Sequence, residues 1–234
     1  MLEAETQTQL LTTYAGTLLA IGSAAFVWLI KSAYEKHRKE MLALSKLERK
    51  FVLNATIADD NLEFMRVWVD ALKDNRPFSF DFEEFLIDNE ETHNLSQLKL
   101  INKILPINYK LRRMGLDLKN IYSNYWEVVA KIDAIPDEQR KMQNLEHFHK
   151  TVILGVEEMT KNYPIINKDF VDVLACIRVA ANVRKHSLFG YVSVLFTDVY
   201  PRMNKKAVEK EKGKLESEMA EKRGVIQKGI GAKS

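Results

Sequence analysis

The chain has a single cysteine, Cys176, so no disulfide can form within it. Cys176 lies in the apolar run 171–177, where low polarity suppresses the thiolate that reactive cysteines need. A small buried core residue is expected there. The sequence also lacks the common catalytic signatures. It has no phosphate loop, no Gly-x-Ser-x-Gly, no His-Glu-x-x-His and no kinase motif. Net charge is only +3, too little to argue for nucleic acid.

Two further absences are local. Residues 6–30 carry no charge, and residues 31–73 contain neither glycine nor proline. The first gap leaves an apolar run over 10–30, 21 residues long. A helix of about 20 apolar residues crosses a hydrocarbon core of about 30 Å. Its polar members, Thr12, Thr13, Thr17 and Ser23, can return hydroxyl bonds to the helix backbone. Tyr14 and Trp28 stand toward opposite ends, at interfacial depths. A buried core helix and a cleaved signal peptide are the competing readings. An all-round apolar surface of this length argues against the first. The absence of Lys and Arg before the run argues against the second.

All the nearby cations follow the run: Lys31, Lys36, Arg38, Lys39, Lys46, Arg49 and Lys50. The positive-inside rule then predicts residues 1–9 outside and the rest in the cytoplasm. Lys36, Arg38 and Lys39 are candidate contacts for anionic headgroups. Gly16, Ala20 and Ala24 repeat at four-residue spacing, a stripe that lets a second span approach closely.

With no breaker over 31–73, the helix is expected to continue past the membrane. Leu44, Leu47, Phe51, Asn54, Ala58, Asn61, Met65, Trp68 and Leu72 recur every three or four residues, the seam of a coiled coil or bundle helix. A buried asparagine can fix register. The simpler expectation puts Asn54 and Asn61 at the edge, with Leu53, Ile57 and Leu62 packing. The stretch 74–77 ends the pattern, and Phe78, Phe80 and Phe82 alternate as in an extended segment laid on the helices.

Asn94 or Ser96 is expected to cap the next helix, with an interruption at Pro106. Pro136 marks a break and a new start. Tyr163-Pro164 is expected to end that helix, and another to span 167–185. The apolar stretch 188–196 is too short to cross a bilayer and suits burial or interfacial contact. The tail, 202–234, has ten Lys or Arg against five Asp or Glu. It suits a solvated helix or disorder.

The candidate metal group, Glu146 with His147 and His149, fails on helical geometry, because the two imidazoles diverge by about 200°. Neither a metal nor a cofactor is expected. Asp59-Asp60 and Glu90-Glu91 read as exposed charges. Arg112, Arg113, Arg178 and the pair Arg184-Lys185 could favour an anionic partner, though charge alone does not separate that from a solvated face.

The sequence therefore predicts a mainly α protein. A transmembrane helix at 10–30 continues into a cytoplasmic helical bundle over 31–201, followed by the basic tail. The expected role is an interaction or scaffolding module bound to the membrane, meeting a protein partner or its own copies. An enzyme with an unrecognised site and a signal transmitter are the alternatives. About nine residues before the span are too few for an external sensing domain.

Overall fold

A computed structural model describes the backbone of residues 2–76, 78–79, 82–87, 89–186 and 204–231. Within these it describes side chains over 12–221, apart from 162–167 and 184–186. The described residues are mainly helical, with no strand among them. Helix α1 spans Leu2–Lys73 and is 72 residues long. Helices α2, α3 and α4 span Leu98–Asp133, Glu138–His186 and Lys205–Gly231. A short 3-10 turn covers Glu90–Asn94.

The absence of Gly and Pro over 31–73 has its expected result, since α1 runs through that stretch unbroken. Its first part is long and apolar enough to cross a membrane. There Thr17 and Ser23 return their hydroxyls to the carbonyls of Thr13 and Ala20, at 2.8 and 2.9 Å. From Ala33 onward α1 buries one face, with Leu44, Phe51, Met65 and Trp68 at 0–2% exposure.

Proline is tolerated more than the sequence suggests. Pro106 lies inside α2, and α3 passes through Pro164 without ending. An interior proline costs about 3 kcal/mol through a lost hydrogen bond and a clash. Around Pro106 that cost is offset by burial of Ile104, Ile107 and Leu111, while the proline faces solvent. Around Pro164 the continuing helix buries Val156 on one side and 170–177 almost entirely on the other. The predicted separate helix at 167–185 is thus the second half of α3.

Two caps also differ from expectation. Helix α2 starts after Gln97 with no side-chain cap bond. Asn94 instead ends the 3-10 turn, and Ser96 bonds to Glu40. At α3 the cap is Asp137, whose Oδ1 accepts the Arg140 amide at 3.1 Å, so Pro136 precedes the cap.

Cross-helix pairs give the directions. Lys73 meets Glu157 and Arg178 meets Glu48, so α1 and α3 are antiparallel. Lys103 meets Asp172 and Tyr125 meets His149, so α2 is also antiparallel to α3. Hence α3 runs back toward the early part of α1.

The basic tail is not simply solvated. Helix α4 buries Leu215 at 2% exposure and docks on α3 by ion pairs. Asp172 holds Lys212 at 2.9 Å and Lys103 at 3.2 Å. Lys212 and then Lys103 hold the Asp172 carboxyl below the usual range. Arg178 gathers Glu48, Glu211 and Glu218 at 2.9–3.5 Å, tying α1 and α4 to α3. Its charge is thereby used internally. The apolar stretch 188–196 lies outside the described residues.

Candidate functional site

Between α1 and α2 runs the connection 74–97, here called the strap. Helix α1 ends with Asn75 at φ 55°, a left-handed position that asparagine tolerates better than most residues. The Asn75 amide bonds to Leu72 O at 3.1 Å and the Arg76 amide to Ala71 O at 2.8 Å. This paired closure satisfies carbonyls of the last turn and turns the chain back along α1.

Asn54 and Asn61 then hold the returning chain. Asn61 Nδ2 donates to Glu83 O at 3.0 Å, and its Oδ1 accepts the Glu83 amide at 3.2 Å. Asn54 does the same with Leu86, at 3.1 and 2.7 Å. Each carboxamide thus presents one donor and one acceptor to the backbone of a single residue. The two asparagines are seven residues apart, about 10.5 Å along a helix. Three strap residues bridge that distance at about 3.4 Å each, so this stretch is drawn nearly straight.

Both asparagines are 1% exposed, while Leu53 is 51% exposed. The edge placement expected for them is therefore incorrect. Ile57 does pack, and Leu62 is half-buried.

Farther along, Lys50 grips Glu91 through both carboxylate oxygens at 2.9 and 2.8 Å. Glu91 is buried, contrary to the exposed charge expected. Glu40 accepts the Ser96 amide at 2.8 Å and its hydroxyl at 2.7 Å. Asn61, Asn54, Lys50 and Glu40 thus meet residues 83, 86, 91 and 96 in reverse order. The strap is antiparallel to α1, fixed by polar bonds over 21 helical residues, about 32 Å.

On its other side the strap meets α2. Phe82 stands edge-on to Tyr122, with ring centroids 5.3 Å apart. The Ser79 and Tyr122 hydroxyls are 3.2 Å apart. A cavity of about 350 Å³ remains between strap and α2. Its walls include Phe82, Phe85, Leu118 and Tyr122, with Arg112 and Lys119 also lining it. Phe80 lies outside the described residues, while Phe78 and Phe82 are half-buried against the core.

A second polar group joins the start of the strap to α2 and α3. His149 of α3 is 2% exposed. Its Nδ1 is 3.2 Å from Asn75 Oδ1 and its Nε2 is 3.3 Å from Tyr125 Oη. The Asn75 oxygen can only accept, so Nδ1 carries the proton and Nε2 accepts the Tyr125 hydroxyl. Burial pushes the His149 pKa down, against a smaller opposing effect of the Leu72 carbonyl. The imidazole is neutral near pH 7. Burial pushes the Tyr125 hydroxyl up, which keeps it a donor. Trp68 packs edge-on to Tyr125 at 5.4 Å. This group faces the core, and none of its members lines the cavity.

The other predicted residues are placed as follows. Gly16, Ala20 and Ala24 are exposed, and a Cβ added at Gly16 would meet nothing within 4 Å. Lys36, Arg38 and Lys39 are exposed on α1. The structure gathers neither set into a cluster, and no Cβ contact closes on Gly16. His147 is exposed and Glu146 pairs with Lys150 at 2.8 Å, so the imidazoles of His147 and His149 do diverge. Among the described residues no three His, Cys, Asp or Glu side chains gather as a metal site. Cys176 is 1% exposed and burial raises its thiol pKa, consistent with a core residue.

Sequence reasoning missed the asparagine clamps and the His149 group. The signal for the first was two asparagines at heptad spacing in an apolar seam. For the second it was His149 in register with Leu145, Val152 and Val156. No protein-family model, curated protein or solved structure matches the chain.

Proposed function

We propose that this protein is a single-pass membrane protein whose helical domain serves as an interaction or scaffolding module. The observation that carries the reading is the change along α1. Leu18, Leu19, Ile21, Phe26, Val27 and Trp28 are all 59–75% exposed, on every side of the helix. That surface has no partner among the described residues and suits hydrocarbon. Beyond Ala33 the same helix buries a stripe and carries a polar outer face. The span acts as an anchor, which raises the effective concentration of the domain toward partners in the membrane plane.

The charge flanks support a cytoplasmic domain with the N-terminus outside. Lys36, Arg38 and Lys39 are exposed within about 14 Å of the end of the span, near enough for anionic headgroups. Gly16, Ala20 and Ala24 are the proposed face for pairing two spans.

The test has two parts. Arg at both Leu19 and Ile21 adds about 5–7 kcal/mol to insertion and should move the protein into the carbonate-soluble fraction. Reporters fused at each end should place the C-terminus in the cytoplasm. Retention of the double variant in membranes, or an external C-terminus, overturns the corresponding part.

Continuity of α1 also favours a second reading, in which the helix passes a rotation or shift of the span to the domain. Cross-linking in intact cells separates the two. A scaffold gives one stable set of cross-links, whereas a transmitter gives sets that change with stimulus.

A further inference from the structure

Helix α2 has a second apolar face. Leu98, Leu105, Tyr109 and Leu116 are 39–68% exposed. Their spacings of seven, four and seven residues hold them within about 20° of one line along the helix. The line is about 27 Å long. Aligned apolar side chains of this kind mark interaction surfaces, whereas singly scattered ones do not.

The charges that α2 itself carries along the stripe have one dominant sign. Residues 98–119 contain six Lys or Arg and one Asp. Lys103 and Lys110 pair with Asp172 and Asp169 of α3, and Arg113 with Asp117. Arg112 has no acidic partner among the described residues, and it lines the cavity beside the strap together with Leu116, Lys119 and the strap's Glu83 and Glu84, of which Glu84 is taken up by Lys119. The stripe and the cavity mouth are therefore continuous.

The chain itself supplies an example of what this flank accepts. Residues 78–91 contain six acids, four phenylalanines and no Lys or Arg. Glu84 reaches Lys119 at 3.8 Å, Phe82 packs on Tyr122, and Phe85 lies against Gly115.

We propose that the exposed face of α2, from Leu98 to the cavity mouth at Arg112 and Lys119, docks an acidic amphipathic segment of a partner protein. Its apolar side chains cover Leu105, Tyr109 and Leu116, and a carboxylate meets Arg112, since Lys119 already pairs with Glu84. Charge selects this occupant. A second copy docked face to face would oppose like charges. A bilayer is a poor fit, since α1 and α2 are both antiparallel to α3, so the stripe points along the direction in which α1 crosses the membrane in the reading above. The proposal rests on that interaction-module reading and names its partner class.

The test uses the full chain in nanodiscs of zwitterionic lipid. The probe is a labelled synthetic peptide of the sequence 78–91, followed by anisotropy. Saturable, salt-sensitive binding is expected. Arg112→Glu, Tyr109→Ser and Leu105→Ser should each weaken it by about tenfold or more, the effect of losing one central contact. Tyr109 and Leu105 are exposed and do not line the cavity beside the strap, so a peptide that merely displaces the strap from that cavity leaves those two variants unchanged. That result overturns the proposal. So does the absence of saturable binding, or equal binding of a peptide with every acid replaced by its amide. All three substituted residues are solvent-facing, and unchanged helical content with an unchanged unfolding midpoint identifies the variants that count. Leu98→Ser and Leu116→Ser stand in for any that fail. Membrane extraction and reporter topology read the anchoring independently, so a failed peptide assay leaves that result intact.

Discussion

Leu19 and Leu44 belong to one helix and meet opposite surroundings. Leu19 is 75% exposed, among neighbours that are apolar all round the axis. Leu44 is 0% exposed, in a stripe whose opposite face is charged. The two halves of α1 differ less in how many apolar residues they hold than in how those are distributed about the axis. An all-round apolar surface suits a membrane span or the core of a larger assembly, and a stripe calls for a protein neighbour on one side.

That comparison can be broken in graded ways. Leu44→Ala should destabilise the domain by about 2–5 kcal/mol, as large-to-small core changes do. Leu19→Ala should leave the denaturant midpoint in detergent unchanged. Equal shifts for both would mean that the first half of α1 packs like the second. A smaller effect is expected at the strap. Asn54→Leu strands the Leu86 amide and carbonyl at a cost of about 1–3 kcal/mol. Hydrogen exchange at Leu86 should quicken while the α3 core stays protected.

The smallest effect belongs to His149 and depends on pH. Its folded pKa lies below its unfolded value of about 6.5. The unfolded chain therefore binds the proton first as pH falls. Stability is full above about 6.5 and declines as pH drops toward the lowered folded value. His149→Gln should flatten that part of the stability curve. A curve of unchanged slope would place the titrating group elsewhere.

Much of this architecture was legible locally. The run at 10–30 and the missing breakers at 31–73 are properties of neighbouring residues, and α1 follows from them. The prolines were not legible in the same way. Pro106 and Pro164 carry a local cost that distant burial outweighs, and sequence spacing does not reveal the burial. Asn54 and Asn61 were harder still. They bind backbone 32 and 22 residues away, and a backbone partner leaves no side-chain pattern to find. His149 sat in register with an apolar face, but Asn75 and Tyr125 reach it from the strap and from α2. Arg178 looked like a free cation because its three carboxylates lie on α1 and α4.

The unbroken passage of α1 out of its apolar stretch has a mechanical consequence. A helix without a hinge has a fixed angular phase, so the bearing of the asparagine clamps is locked to the bearing of the apolar stretch. One residue inserted after Lys31 would swing every later element by about 100° and advance it by about 1.5 Å. Seven inserted residues would bring it back to within about 20° of its first heading. Activity that depends on meeting something held in the membrane should then rise and fall with the length of the insert, like a compass needle stepped around its dial.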